Sequence, residues 1–201
     1  MPSATKVIHI ILRTLQFIFT VLVLALSGAL IQQQTRGGTP TRVNYSIFVA
    51  AFAAVTHLYL FPATVVDRIA SPLLMTILDA LNTIFYLCAG IAMAAQLNGN
   101  SCKSFHFIHN NGITNGGGYV SQSRRCREAN AMTAFEWFAF AAFLGSLLIN
   151  LWNLKNQNNI SRGRVNMKGV RPMSQTSQPV SQGIDSPPLP IVGDFYIRWR
   201  K

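Results

Sequence analysis

Arg13, His57, Asp79, Asn82 and Glu136 stand inside stretches otherwise made of apolar residues. A charged side chain at the centre of a bilayer costs about 2.5–3.5 kcal/mol on insertion scales, so such groups pair, face a bundle interior or line a wet path. A guanidinium, an imidazole, a carboxylate and an amide together offer three kinds of chemistry. They can form an ion pair that fixes helix packing, a node that responds to lipid or protonation, or a relay for ions. Polar groups are common glue between membrane helices, which puts packing first, sensing second and transport third.

Other reactive constellations are missing from the pattern. There is no phosphate-cradling glycine loop, no zinc-ligand spacing and no Ser/His/Asp arrangement. His106 and His109 lie near Cys102 without a familiar metal spacing, and read as solvated loop residues. The expectation is a protein without catalytic residues, cofactor or metal. Asn44-Tyr45-Ser46 and Asn159-Ile160-Ser161 have the form of glycosylation sequons, but the first hugs the membrane and the second falls on the cytosolic side.

The elements that carry these residues follow from composition. Half of the 201 residues are hydrophobic, and only 11% are charged against about 25% in soluble domains. That excludes a soluble enzyme, a disulfide-rich secreted domain and a disordered chain. A helix needs about 20 mainly apolar residues to cross a bilayer. Four stretches qualify, at about 7–31, 43–66, 72–97 and 129–151. Without strand-like alternation, and with every backbone group needing a partner in lipid, all four read as helices. Gly37-Gly38 with Pro40, the Asp67–Ser71 turn before Pro72, and an Asn- and Gly-rich stretch over 98–128 separate them. The expected fold class is all-α: a four-helix transmembrane bundle over 1–152, followed by a basic, Pro- and Ser-containing disordered tail over 153–201. The first apolar run exceeds the core of about 7–15 residues typical of a signal peptide, and reads as a retained helix.

Charge sets the orientation. With both ends cytosolic, eleven of the seventeen Lys and Arg residues fall on the cytosolic side and six outside, as the positive-inside rule favours. Cys102 and Cys126 then share an oxidising outer loop, and a disulfide between them would be worth on the order of 3 kcal/mol. At about 1.5 Å per residue, Arg13, Asp79 and His57 each lie about 9–14 Å from the cytosolic ends of their helices, within one layer. Asn82 is one turn beyond Asp79 on the same face. Glu136, about 10 Å below the outer end of the fourth helix, belongs to a different layer. Asp79 should point into the bundle. His57 is its partner if the second and third helices form a hairpin; Arg13 is its partner if the first helix packs on the third.

The net charge of +11 points to anionic lipid head groups rather than nucleic acid in a chain with four spans. Arg162, Arg164, Lys168 and Arg171 follow the fourth span closely enough to contact them. Ser174, after Arg171-Pro172-Met173, resembles a basophilic kinase site, and Ser186-Pro187 a proline-directed one. Phosphate there would weaken the attraction. Ala50/Ala54, Gly90/Ala94 and Ala141/Gly145 are spaced for close helix approach. Phe135, Trp137, Phe138, Phe140 and Phe143 give the fourth helix an aromatic surface, read first as core and second as lipid or sterol contact.

Several short motifs occur in a characteristic order: Ile11-Leu12-Arg13, Arg42-Val43-Asn44-Tyr45, Leu78-Asp79-Ala80-Leu81-Asn82, Ser101-Cys102 and Arg125-Cys126-Arg127. Over about residues 8–152 the chain resembles the fungal tetraspan family of non-classical export proteins, of the MARVEL type. The resemblance implies a plasma-membrane protein that builds membrane compartments and furrows with eisosome scaffold proteins. It also implies links to sphingolipid levels and to export of leaderless proteins. The expected function is a non-enzymatic membrane-domain organiser that clusters with its own copies and with lipids, sphingolipid or sterol among them. The tail, ending Phe195-Tyr196-Ile197-Arg198-Trp199-Arg200-Lys201, inherits no role from the resemblance. The alternative is a small ion channel or transporter subunit using Asp79, His57 and Glu136 as a path. Four spans without inverted repeat or broken helix argue against a secondary transporter.

Overall fold

A computed structural model describes residues 4–35, 37–66, 68–116 and 122–168, with side chains described as far as 156. The chain forms α1 (Ala4–Gln32), α2 (Thr41–Val65), α3 (Pro72–Leu97), the short α4 (Phe105–Asn110) and α5 (Gln122–Lys168). Four of these, α1, α2, α3 and the Gln122–Asn156 part of α5, are long and apolar enough to cross a membrane. The protein is a multi-pass, all-helical membrane bundle.

Local sequence explains most helix ends. Pro40 precedes α2 and Pro72 opens α3, where a missing N–H and a fixed φ do no harm. At the other end of α3, Asn98 takes the left-handed conformation (φ 46°), and its N–H closes on the Ala94 carbonyl at 2.8 Å. Gly99 follows at φ 63°, so two residues tolerant of that region stop the helix.

α5 is longer than its apolar stretch at both ends. It begins at Gln122 rather than near Ala129, because Gln122–Glu128 is polar but helix-compatible. Arg124 and Glu128 pair one turn apart at 3.0 Å. It runs on to Lys168 rather than ending near Leu151, so the first third of the expected disordered tail is helix. Residues 169–201 lie outside the described residues.

The buried face of α1 is His9, Arg13, Gln16, Thr20, Val23, Ser27 and Leu30, spaced alternately four and three apart. That spacing keeps one stripe turned to the neighbouring helices. The stripe is largely polar, while Ile11, Phe17, Ile18 and Val21 point outwards. This polar-in, apolar-out arrangement is the reverse of a soluble bundle and suits lipid surroundings.

α1 packs against α2 and α5, and α3 packs against the same two helices. The order around the bundle is therefore α1, α2, α3, α5, with α1 facing α3 across one diagonal and α2 facing α5 across the other. The core between them is built from small and medium side chains, among them Val23, Val49, Ala50, Ala53, Ala89, Met93, Met132 and Ala139, with Tyr86 and Phe143. A Cβ on Gly90 would stand 3.3 Å from the Trp137 ring, which shows how closely α3 and α5 approach.

A buried polar node and a disulfide-bonded clasp

The node centres on Asp79. Its carboxylate and the Arg13 guanidinium are fully buried and form a two-pronged ion pair; Arg13 Nη2 donates to Oδ2 at 2.8 Å. Asn150 Nδ2 of α5 donates to the same oxygen at 2.7 Å. Arg13 Nη1 also donates to Gln16 Oε1 at 2.8 Å. The Gln16 amide nitrogen then donates to the Ala142 carbonyl at 2.9 Å and to Ser146 Oγ at 2.7 Å. The network thus ties α1, α3 and α5 together in one layer. Planar two-pronged geometry is the strongest form such a pair takes.

The two partners proposed for Asp79 resolve in favour of Arg13, by a route the sequence did not suggest. α1 does not pack on α3; the long Arg13 side chain crosses the diagonal between them. His57, on the adjacent helix α2, does not reach the carboxylate. Its Nδ1 donates to the Ala53 carbonyl one turn back at 2.8 Å, and its ring stands edge-on to Phe143 at 5.6 Å. Asn82 joins α3 to α2 instead of joining Asp79, donating to Thr56 Oγ1 at 3.0 Å and to the Leu78 carbonyl at 2.9 Å. Gln16, Asn150 and Ser146 are node members that sequence reasoning missed. The signal for Gln16 was its position three residues after Arg13 on the polar stripe; Asn150 lies one turn after Ser146 on the buried face of α5.

At the opposite end of the bundle, Cys102 and Cys126 form a disulfide with Cα atoms 5.7 Å apart. Next to it, Arg125 is buried rather than solvated. Its Nη1 donates to the Leu30 carbonyl at 3.0 Å, its Nη2 to Gln34 Oε1 at 2.7 Å and to the Ile113 carbonyl at 2.9 Å. Leu30 O is one of the carbonyls that the end of α1 leaves without a helical partner, so a cation is well placed there. Asn111 Nδ2 fastens the loop to the Gln96 carbonyl of α3 at 2.8 Å, and Gln33 Nε2 reaches Glu128 at 3.0 Å. The loop between α3 and α5 is a folded clasp over the bundle.

Among the aromatic residues of α5, Phe143 is buried and stacks on Tyr86, while Phe138 and Trp137 are exposed. Phe19 of α1 lies against Phe135 and Phe138. Arg162, Arg164 and Lys168 fall on the last turns of α5, where the backbone alone is described; Arg171, Ser174 and Ser186 lie outside the described residues.

A four-span bundle with a polar interior and a disulfide-bonded clasp fits a membrane-associating protein, and residues 6–149 match the MARVEL family, "Membrane-associating domain". The chain belongs to that family. It is homologous to fungal non-classical export proteins. It is 33% identical to Non-classical export protein 2 of Saccharomyces cerevisiae, over 82% of this chain and 95% of that protein. It is 33% identical to the Non-classical export protein 2 homolog of Schizosaccharomyces pombe, over 73% of this chain and 78% of that one. Non-classical export protein 102 of Candida albicans is 32% identical, over 85% and 94%. No solved structure matches the chain.

Proposed function

We propose that this protein is a non-enzymatic organiser of plasma-membrane domains, with both termini in the cytosol and the disulfide-bonded clasp outside. The observation that carries this reading is the network around Asp79. Arg13, Gln16, Asn150 and Ser146 bond to one another or to the carboxylate, and Asn82 with Thr56 joins α2 to α3. Groups bonded in this way brace a bundle, whereas a relay needs groups free to exchange partners. A braced bundle presents a constant lipid-facing surface on which copies of the chain and selected lipids can gather.

Membership of the MARVEL family and homology to proteins named for non-classical export support the same reading. On it, the protein works with eisosome-type scaffold proteins, responds to sphingolipid levels and assists export of leaderless proteins. The basic residues Arg162, Arg164, Lys168 and Arg171 hold the cytosolic end to anionic head groups, each contributing about 1 kcal/mol near such a surface. Phosphorylation of Ser174 or Ser186 would weaken that attachment.

Imaging of a fluorescently tagged full-length chain in a fungal cell tests the proposal. A static, patchy pattern at the cell surface is expected. A uniform internal reticulum would overturn it.

A further inference from the structure

Glu136 is the acid in the spans that the Asp79 network does not use. It is fully buried on α5, and neither of its carboxyl oxygens has a hydrogen-bond partner. Facing it across the second diagonal is Ser46 of α2, 1% exposed, whose hydroxyl also lacks a partner within hydrogen-bond geometry. Three unpaired polar atoms from two helices therefore converge in a core otherwise lined by small apolar residues such as Ala50, Ala89 and Ala139.

Among the described residues no cation faces this acid. α1 has no titratable residue from Thr14 to Gln32. Its polar residues are already used: Ser27 donates to the Val23 carbonyl at 2.7 Å, and Thr20 accepts from Tyr86 at 3.1 Å. From α3 the titratable group turned inwards at this level is Tyr86, whose hydroxyl is held by Thr20, while the Cys88 thiol is exposed. From α2 they are Tyr45, one residue before Ser46 and stacked towards Phe48, and His57, about 16 Å along the helix. On α5 itself the nearest charge is Glu128, paired with Arg124. Arg13 and Asp79 are shut off by rings. Phe143, seven residues after Glu136, stacks on Tyr86, seven residues after Asp79, with centroids 5.6 Å apart.

An ionised carboxylate in such surroundings has at most one donor for two oxygens, and an isolated charge in an apolar interior neutralises instead. The neutral acid matches what is present: its O–H can donate to Ser46 Oγ, and its carbonyl can accept from Ser46 O–H. We propose that Glu136 and Ser46 form a proton-binding site closed inside the bundle, in which the carboxyl carries its proton and shares it with the serine hydroxyl. Removing that proton places an unpaired charge in the small-residue core, so cohesion of the bundle depends on keeping it. This holds whether or not the protein organises membrane domains.

Because deprotonation would leave a charge without a partner in the closed core, the contribution of the protonated pair is lost as pH rises. The test uses full-length protein in phosphatidylcholine nanodiscs. Infrared spectra at neutral pH should show the carbonyl stretch of a protonated carboxylic acid, absent in Glu136→Gln. In Ser46→Ala the band should keep its intensity and move to higher frequency, as the acid loses its hydrogen bond. Thermal unfolding of the wild type should fall from neutral to alkaline pH more steeply than that of Glu136→Gln. Should Glu136→Gln not fold, the shift in Ser46→Ala decides. A wild-type spectrum without an acid carbonyl band, an unshifted band in Ser46→Ala, or parallel pH profiles would each overturn the proposal.

Discussion

Arg13 and Asp79 form a buried ion pair across a diagonal of the bundle, although the helices that carry them do not pack on each other. The reach of the arginine makes this geometry available: a short side chain on α1 would leave the carboxylate with Asn150 as its side-chain donor. Removing one member of a buried pair leaves the other charge uncompensated and costs about 3–5 kcal/mol, whereas replacing both by apolar residues is often close to neutral. Arg13→Leu and Asp79→Leu should each destabilise the purified protein by about that amount, and the double variant should recover most of it. His57→Leu should couple to Asp79→Leu more weakly than Arg13→Leu does. Denaturant unfolding in detergent micelles measures both cycles.

Asn150 gives the node a second prediction. It donates to Asp79 Oδ2 at 2.7 Å, and a hydrogen bond to a charged group is worth about 1.5–3 kcal/mol. Asn150→Leu should cost about that much in the same unfolding assay. Asn150→Asp should cost more, because it sets a second carboxylate against the first. Equal stability of Asn150→Asp and wild type would show that Asn150 does not bear on the carboxylate.

The spans and their order were legible in the sequence because lipid imposes a length, and Pro40, Pro72 and Gly37-Gly38 punctuate it. The third helix matches its expected bounds, and α2 begins at Thr41 rather than Val43. The depth of Arg13 and Asp79 could be counted along each helix, which brought them to one layer. Which helices are neighbours and which are diagonal is a property of packing, and periodicity within one helix does not contain it. Asp79 was therefore left between two partners. The limits of α5 were missed because a helix does not stop where lipid stops, and the burial of Arg125 was not legible because one of the carbonyls that bury it, Leu30, is far away in sequence.

Arg125 should be a main contributor to the clasp. Arg125→Ala leaves the Leu30 and Ile113 carbonyls without this donor and should lower stability by about 3 kcal/mol. Arg125→Lys should recover part of it, as an ammonium cannot reproduce the planar fork. Amide hydrogen exchange should rise at Thr35 and over 113–115, whose N–H groups are bonded within the clasp, while exchange in α2 stays unchanged. Uniform acceleration throughout the bundle would show that Arg125 acts on the whole fold and not on the clasp.

Reduction of the Cys102–Cys126 bridge should cost about as much as loss of Arg125. Closing a loop of this length is worth on the order of 3 kcal/mol from lost chain entropy. Mass spectrometry of alkylated, non-reduced protein from fresh membranes should find the two cysteines linked and Cys88 alkylated. Alkylation of both Cys102 and Cys126 would contradict the oxidised clasp and the outside location assigned to it.

Gly90 and Trp137 offer a test of the α3/α5 contact. A valine at position 90 would press its side chain into the Trp137 ring and should cost about 1–3 kcal/mol as an overpacked core. Trp137→Leu should relieve part of that cost when the two changes are combined. Simple additivity in denaturant unfolding would place the two residues out of contact.

Clustering of fluorescently labelled full-length protein in giant liposomes is the most direct measure of whether a braced bundle organises membrane. Expected is a wild type that gathers into patches without carrying ions, an Asp79→Leu variant that disperses, and an Arg13→Leu/Asp79→Leu variant that gathers again. A wild type that stays dispersed and carries a selective, pH-dependent ion flux, or an Asp79→Leu variant that clusters as well as the wild type, would contradict it.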